Sequence, residues 1–217
     1  MNKNFCICNT ISIIIFIVLS GSLIGCKGIL DKPALKITNY TLEYEPPDLN
    51  SGKSMLPVHL KIERFTSAPE YRTKKIIYRN KANVRNSYNY HSWSAYPSDI
   101  VGYLLLRDFS RSGLFKTVTG FTDMNIAPAY IINGILEEFY EKGDSDMRMA
   151  VASVDVIMVS CKEKDVINGT ILQKNYKAET PCIEKTPEGL ASAMSVSVEN
   201  ISKRIMDDIY SILESAI

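Results

Sequence analysis

The sequence predicts an α+β fold, in which a mostly antiparallel sheet carries two packed helices behind an N-terminal leader and a tether. Strand-like segments, either alternating in polarity or rich in β-branched and aromatic residues, fill most of the chain. Two further segments have apolar residues at helical spacing and begin at prolines, Pro97 and Pro187. Because a helix with one apolar stripe must cover it with another element, we expect these segments to pack as layers.

The leader ends in four residues, Leu23-Ile24-Gly25-Cys26, which close an apolar run that begins near Ile11. Lys3 is the only charge before them, and a cationic start, an apolar stretch and small residues are typical of a secretory signal peptide. Because a Cys directly follows the small residue, the pattern resembles the bacterial lipobox. It predicts a signal peptide over residues 1–25 and a diacylglycerol on Cys26. The alternative, a transmembrane helix, needs about 20 apolar residues, more than this run has.

Residues 26–52 are predicted to form the lipidated Cys and a flexible tether, because prolines such as Pro33 and Pro46 occur there with little periodicity. Residues 53–217 are then long enough for one domain with its own core. Removing residues 1–25 takes Lys3 from the 25 basic residues and nothing from the 24 acidic ones, which leaves 24 of each. Nucleic acid is therefore not an expected partner, since binding it requires a basic excess.

The first half of the domain is predicted to contain three strands and a helix. Leu56–Phe65 alternates between apolar and polar residues, Lys75–Arg79 is short, and Val84–Trp93 is rich in aromatic residues. Pro97 is suited to the first turn of a helix, and Gly113 is suited to its end.

The second half is predicted to contain four strands and the longest helix. The strands are Phe115–Phe121, Ala129–Glu141, Met147–Cys161 and Val166–Thr180, and the last two are expected to form a hairpin. The helix begins at Thr186, which can cap it, and Pro187 fits its first turn. Its apolar residues recur at steps of three and four: Leu190, Met194, Val198, Ile201, Ile205, Ile209 and Ile212.

The chain lacks the sequence patterns of common catalytic sites. It contains no Gly-x-Ser-x-Gly elbow and no glycine-rich phosphate loop. His59 and His91 each lie in a predicted strand, and we interpret them as ordinary strand residues, with a general base as the alternative. Glu137 and Glu138 are adjacent on a strand and face opposite ways, so they do not form a paired-carboxylate site. We expect neither enzymatic activity nor a cofactor.

Cysteines and acidic turn residues leave two questions open. Cys161 and Cys182 remain in the mature chain, and an oxidising compartment permits a disulfide between them. Asp144 and Asp146 are interpreted as turn residues, with a weak cation site as the alternative. The cysteines and histidines show no metal-ligand spacing, so no metal is expected.

Four residues are candidates for binding a partner: Tyr88, Tyr90, Arg79 and Arg85. The two tyrosines share one face of a regular strand, and aromatic residues are enriched at protein interfaces. The two arginines belong to a basic stretch over residues 72–85. This stretch either contacts anionic lipid headgroups or an acidic partner, or is a solvated sheet edge that charge protects against edge-to-edge pairing.

Several short motifs occur together in the domain. A strand ending in Trp leads to a helix-opening proline in Tyr88–Pro97, a Ser-Gly-x-Phe turn spans Ser112–Phe115, and a strand segment follows at Ile132–Phe139. The combination resembles the ABC-type transport auxiliary lipoproteins, the PqiC/YmbA-like group, over most of residues 54–215. Tyr96 departs from this group, which usually has a proline there. The resemblance implies structural roles for five residues: Trp93, Pro97, Gly113, Phe115 and Gly134.

The resemblance implies a role without a reaction. Members of the group are periplasm-facing lipoproteins that work with an MCE-domain protein and an ABC transporter. These systems move lipids or other hydrophobic molecules between the inner and outer membranes. Lys27, where an Asp would favour the inner membrane, points to the outer membrane, and a homo-oligomer is compatible with the ring-forming MCE proteins. The alternative is a lipoprotein adaptor of a secretion or cell-wall synthesis complex.

Overall fold

The computed structural model describes residues 36–49, 52–122, 127–143, 147–163 and 165–216. Within them the chain forms nine strands, two long helices, one short helix and a 3-10 turn at Pro69–Tyr71. The strands are β1 (Thr38–Tyr40), β2 (Leu56–Ile62), β3 (Thr66–Ser67), β4 (Lys75–Arg79), β5 (Asn86–Trp93), β6 (Phe115–Thr119), β7 (Tyr130–Gly143), β8 (Arg148–Ser160) and β9 (Thr170–Pro181). The helices are α1 (Pro97–Arg111), α2 (Val166–Gly169) and α3 (Pro187–Ser215).

The long strand β7 organises the sheet. One of its edges pairs along its whole length with β8, which pairs in turn with β9, and both pairings are antiparallel. Its other edge pairs with three short strands in succession, β2, β3 and β4, and all three are parallel to it. The outer strands β6 and β1 are parallel to β2 and β5, while β5 is antiparallel to β4.

The sheet is therefore mixed, and five of its eight described pairings are parallel. The prediction of an α+β fold with two main helices is confirmed, but the mostly antiparallel sheet is wrong. Local alternation identifies a strand without identifying its neighbour. Here α1 carries the chain across between β5 and β6, so that β6 and β7 return parallel to β2.

The hairpin predicted from the last two strand segments is formed by β8 and β9. Its register pairs Met149 with Pro181 at one end and Val159 with Thr170 at the other. Cys161 and Cys182 follow the ends of these strands and lie at opposite ends of the hairpin, and both are free thiols. The open question of a disulfide is thus answered. The first residues predicted as strand, Val166–Gly169, instead form α2, which the side chain of Asp165 caps at the Ile167 amide.

Both long helices begin where the sequence predicts. Pro97 and Pro187 occupy the first turns, and Thr186 Oγ1 accepts a hydrogen bond from the Gly189 amide at 3.1 Å. Gly113, just beyond α1, has a φ of 67°, a left-handed conformation that glycine adopts without strain. Every predicted stripe residue of α3 is buried except Ile212, which is half-buried.

Residues 37–49, here called the strap, are folded onto the domain. Tyr40, Leu42 and Leu49 are buried, and the Glu43 amide donates to Ser195 Oγ of α3 at 3.0 Å. These residues were predicted to belong to the flexible tether, so the folded domain begins near residue 37 and not at residue 53. Proline content marked the segment as irregular, and irregular backbone can still pack when a groove receives its side chains.

Among the described residues, no helix is both long and apolar enough to cross a membrane.

Candidate partner-binding site

A bulge in β5 separates the two predicted partner-binding tyrosines. β5 pairs Ser92 with Lys75 and Ser87 with Ile77, so four residues of β5 lie between these pairs where β4 has one. Regular alternation is lost between these pairs. Tyr88 is half-buried, whereas the side chain of Tyr90 is 45% exposed.

Tyr88 forms a cluster with the buried carboxylate of Glu141. Its hydroxyl donates to Glu141 Oε2 at 2.6 Å, and Arg148 Nη1 lies 3.2 Å from Glu141 Oε1. The Glu141 side chain is 7% exposed and that of Arg148 is 29% exposed. Burial, the hydrogen bond to Glu141 and its negative charge raise the pKa of Tyr88 above its usual value. Tyr88 therefore stays a neutral donor, and Glu141 and Arg148 offset each other's charge.

This cluster forms one wall of a cleft with a volume of about 510 Å³. The remaining lining residues are mostly polar: Tyr78, Asn80, Ser87, Asn89 and Gly143. The Tyr78 and Tyr88 rings meet edge to face, with centroids 5.3 Å apart. Aromatic faces and amide groups around a paired charge offer hydrogen bonds and flat contact surface, which suits the polar surface of a partner protein.

The two predicted arginines converge on the loop between β4 and β5. Arg79 Nη2 and Arg85 Nη1 each donate to the Ala82 carbonyl at 3.0 Å. Arg85 also donates to Glu70 Oε2 at 2.6 Å, and this bond raises the pKa of the Arg85 guanidinium. Arg79 lies 4.4 Å from the centroid of the Tyr140 ring. Arg79 Nη1 also lies 3.8 Å from Glu138 Oε1, so much of the hydrogen-bonding capacity of both arginines holds the loop and its neighbours.

The five residues of the family motifs hold the fold. Trp93 is 1% exposed and its ring meets Phe139 edge to face at 5.2 Å, while Phe115 stacks on Phe109 at 5.6 Å. The ring of Phe65 lies directly against the backbone of β7 at Gly134. A Cβ at this position would overlap the ring, so only glycine fits there. The buried Pro97 begins α1, and Gly113 ends it.

The histidines and cysteines have ordinary surroundings. His59 Nε2 lies 2.8 Å from Thr119 Oγ1, and His91 Nδ1 lies 3.0 Å from the Tyr40 hydroxyl. Burial raises the pKa of the Cys182 thiol to about 11, and Glu141 adds to the effect. Within the part of the chain that the structure describes, no three His, Cys, Asp or Glu side chains are grouped as metal ligands. Cys26, Asp144 and Asp146 lie outside the described residues.

A second buried carboxylate, Asp108 of α1, was not predicted. It is fully buried and accepts hydrogen bonds at Oδ2 from Tyr44 at 2.7 Å and from Ser202 at 2.6 Å. Arg107 donates to Oδ1 from Nη2 at 2.7 Å and to the Tyr44 carbonyl at 3.0 Å. The cluster joins the strap to α1 and α3. Its signal in the sequence is a charged residue four positions after Leu104, within the apolar stripe of α1.

Comparison with known proteins finds solved structures with a similar fold. Protein XCC0632 from Xanthomonas campestris has a similar structure, with a TM-score of 0.72 and 14% sequence identity over 83% of this chain and 99% of that one. The hypothetical protein CT253 from Chlamydia trachomatis is similar with a TM-score of 0.51 and 8% identity over 73% and 98%. At such identities the likeness shows the fold alone. No curated protein matches the chain.

A family model matches residues 40–206, which contain most of the strap, the whole described sheet after β1, α1 and most of α3. The matched region also contains both carboxylate clusters and all four predicted partner-binding residues. The chain belongs to the family of ABC-type transport auxiliary lipoprotein components.

Proposed function

We propose that this protein is the membrane-anchored auxiliary subunit of a transport system that moves lipids or other hydrophobic molecules across the bacterial envelope. Its partners are an MCE-domain periplasmic protein and that protein's ABC transporter. The observation that carries the proposal is the family match over residues 40–206, preceded in the sequence by the lipobox-like Leu23–Cys26. The family is named for an auxiliary role in transport, and the role requires binding, not chemistry.

The proposed mechanism is tethering. A lipid on Cys26 restricts the domain to a layer close to the membrane surface, which raises its local concentration for any partner that reaches that surface. Lys27 favours the outer membrane, with the domain facing the periplasm. A partner that extends across the periplasm from the inner membrane would then be bound by this domain at the end that reaches the outer membrane.

The proposed docking surface contains Arg79, Arg85 and Tyr90, together with the cleft that Tyr88 lines. Tyrosine and arginine are the residues that most often dominate the energy of protein interfaces. Tyr90 is exposed beside the cleft, and Arg85 is exposed on the adjoining loop. Tyr88 fixes the cleft wall through Glu141, so its contribution is to shape.

In-cell cross-linking tests the proposal. The lipidated protein is expressed with a C-terminal tag in its native host, cross-linked in intact cells, and purified with whatever it has captured. We expect an MCE-domain protein to be recovered, and its recovery to fall strongly for the double variant Tyr90→Ala/Arg85→Ala. The matched control is Tyr103→Ala/Arg64→Ala, because Tyr103 is 66% exposed and the Arg64 side chain 63% exposed, away from the cleft.

Recovery of a secretion or cell-wall synthesis component in place of an MCE-domain protein would overturn the proposal. That result would favour the adaptor role in such a complex. Cross-linked bands at multiples of the subunit mass would show whether a homo-oligomer forms.

A further inference from the structure

Several strand ends meet at one end of the sheet, here called the hairpin end. β4 and β7 finish there, and β5 and β8 begin there, as the pairs Tyr78 with Asn86 and Gly143 with Arg148 show. β9 also finishes there, because Pro181 pairs with Met149. The opposite end holds the β8–β9 connection with α2. β9 has 12 residues, which at about 3.3 Å per residue separates the two ends by about 40 Å.

Exposed apolar side chains lie in the segments that meet at the hairpin end. Ile183, just after β9, is 97% exposed, and Met147, just before β8, is 69% exposed. The Cys182 amide donates to the Arg148 carbonyl at 2.8 Å, which places these two segments side by side. Single exposed apolar residues are ordinary on protein surfaces, but neighbouring ones of this exposure mark a contact surface.

An apolar groove continues this surface along the first turns of α3. It has a volume of about 300 Å³ and lies between Pro181, Ile183, Ala193 and Val196. Val196 is 44% exposed, on a helix face where Ser192 and Asn200 are exposed as well. The exposed apolar surface is therefore not limited to one side chain.

The chain enters the domain on the side of the hairpin end. β1 is parallel to β5, and its first residue, Thr38, lies opposite His91, the sixth residue of β5, so the chain before it approaches from the direction of the end where β5 begins. Ile37, at this entrance, is 54% exposed. The Tyr40 hydroxyl donates to Glu188 Oε1 of α3 at 2.9 Å, and the Asp108 cluster holds Tyr44. The entrance is thus fixed relative to the domain.

The length of chain before this entrance limits where the domain can lie. Only nine residues lie between Cys26 and Lys36, and the ten steps from one to the other reach at most about 35 Å when the chain is fully extended. A tether running to residue 52 would have allowed the domain to turn freely. With the strap folded, a lipid on Cys26 would hold the point where the chain enters the domain within about 35 Å of the membrane.

We propose that the hairpin end rests on the bilayer, with Ile37, Met147 and Ile183 in the interfacial region of the lipid. The inference rests on the proposed lipid attachment at Cys26. Charges of both signs lie nearby, Lys36 and Lys185 with Glu184 and Glu188. The side chains proposed to enter the lipid are apolar, so the contact needs no anionic lipid. The proposed docking surface, with Tyr90 and Arg85, adjoins this end, so the partner would be engaged next to the bilayer.

Depth-dependent quenching of tryptophan fluorescence tests the orientation. The lipidated full-length protein is reconstituted into phosphatidylcholine vesicles, with or without brominated acyl chains, as Ile183→Trp or as the control Ile167→Trp. Ile167 is also highly exposed, at 83%, but belongs to α2 at the opposite end. Trp93 is 1% exposed and supplies the same background in both variants.

We expect brominated lipid to remove most of the emission that Ile183→Trp adds and to leave that of Ile167→Trp unchanged, at low and at high salt. Vesicle flotation of each sample distinguishes a failure of the proposed orientation from a failure of the proposed lipid anchor. Protein that floats but shows no quenching of Ile183→Trp, or equal quenching of both variants, overturns the orientation alone. Protein that does not float, and behaves like Cys26→Ser, overturns the lipid anchor and with it the proposed function.

Discussion

Two carboxylates are buried in this domain with the same kinds of partner, yet we expect one to contribute mainly to stability and the other mainly to the shape of a binding surface. Asp108 and Glu141 each accept a hydrogen bond from a tyrosine and each pair with an arginine. The Asp108 carboxylate is fully buried between the strap and two helices, although its partners Tyr44 and Arg107 also line a cleft of about 800 Å³. Glu141 is nearly as buried, but its cluster forms the wall of an open cleft.

The difference lies in how much water each cluster can reach. Arg107, beside Asp108, is 15% exposed, whereas Arg148, beside Glu141, is 29% exposed. A charge that loses its partner in a closed site stays desolvated, while one beside a cleft can be hydrated. The Asp108 cluster is therefore expected to contribute mainly to stability, and the Glu141 cluster mainly to the shape of a binding surface.

The largest expected effect is that of Asp108→Ala. It leaves the Arg107 guanidinium and two hydroxyls without their acceptor at a fully buried position, and breaking a buried pair in this way costs about 3–5 kcal/mol of unfolding free energy. Urea denaturation measures the loss. The control is Asp99→Ala, which breaks an exposed pair with Arg64 and should cost below about 1 kcal/mol. Equal losses for the two variants would contradict the role of Asp108.

Glu141→Ala is expected to cost less, about 1–3 kcal/mol, because water in the cleft can hydrate Arg148 and Tyr88. The same denaturation series measures it. A loss as large as that of Asp108→Ala would show that the cleft does not supply water to the cluster, and the contrast between the two carboxylates would fail. Cross-linking to the partner should also fall for Glu141→Ala at temperatures where the variant is folded.

The tyrosine hydroxyls give a finer comparison. Tyr44→Phe and Tyr88→Phe each keep the ring and remove one hydrogen bond, worth about 1 kcal/mol, with the smaller loss at the half-open Tyr88 site. Hydrogen exchange separates their roles. Tyr44→Phe should speed exchange in strap residues 41–49, and Tyr88→Phe should leave those amides unchanged. Faster strap exchange in Tyr88→Phe would mean that the two clusters are coupled.

The smallest effect at neutral pH is that of Cys182, which lies near Glu141. Its pKa is raised to about 11 from an ordinary value near 9, so the folded state keeps the thiol proton that the unfolded state releases. Stability from this group is complete below pH 9 and is lost as the pH rises to about 11. Urea unfolding under reducing conditions should show a smaller fall over this window in Cys182→Ala. An identical fall in both proteins would contradict the assignment.

Local patterns in the sequence predicted the helices and the long hairpin well, because the physical causes are local. Pro97, Pro187 and Thr186 satisfy or remove unpaired groups in the first turn of a helix wherever the helix packs. The stripe of α3 requires only that one face be covered. β8 and β9 are adjacent in sequence and long, so their pairing costs little chain entropy.

The prediction failed where distant segments decide the outcome. The bulge at Tyr88–His91 lies in the pairing of β5 with the separate strand β4, which the sequence of β5 alone does not record. The strap was predicted to be a tether because its prolines break periodicity. In the structure it is held by the hydrogen bond from Tyr44 to Asp108, which lies 64 positions away in the sequence. The charged residue within the stripe of α1 was a visible signal, but its partners could not be identified from spacing.

By itself, the sequence determined the fold class, the positions of the helices, the long strands and the expectation of a lipid anchor at Cys26. These follow from short-range rules: periodicity, capping and a contiguous motif. The tertiary structure alone decided the parallel pairings on β7, the free state of Cys161 and Cys182, and the folded strap. It also decided which end of the domain the chain enters, because each of these depends on contacts between residues far apart in sequence, whose free energy no local pattern records.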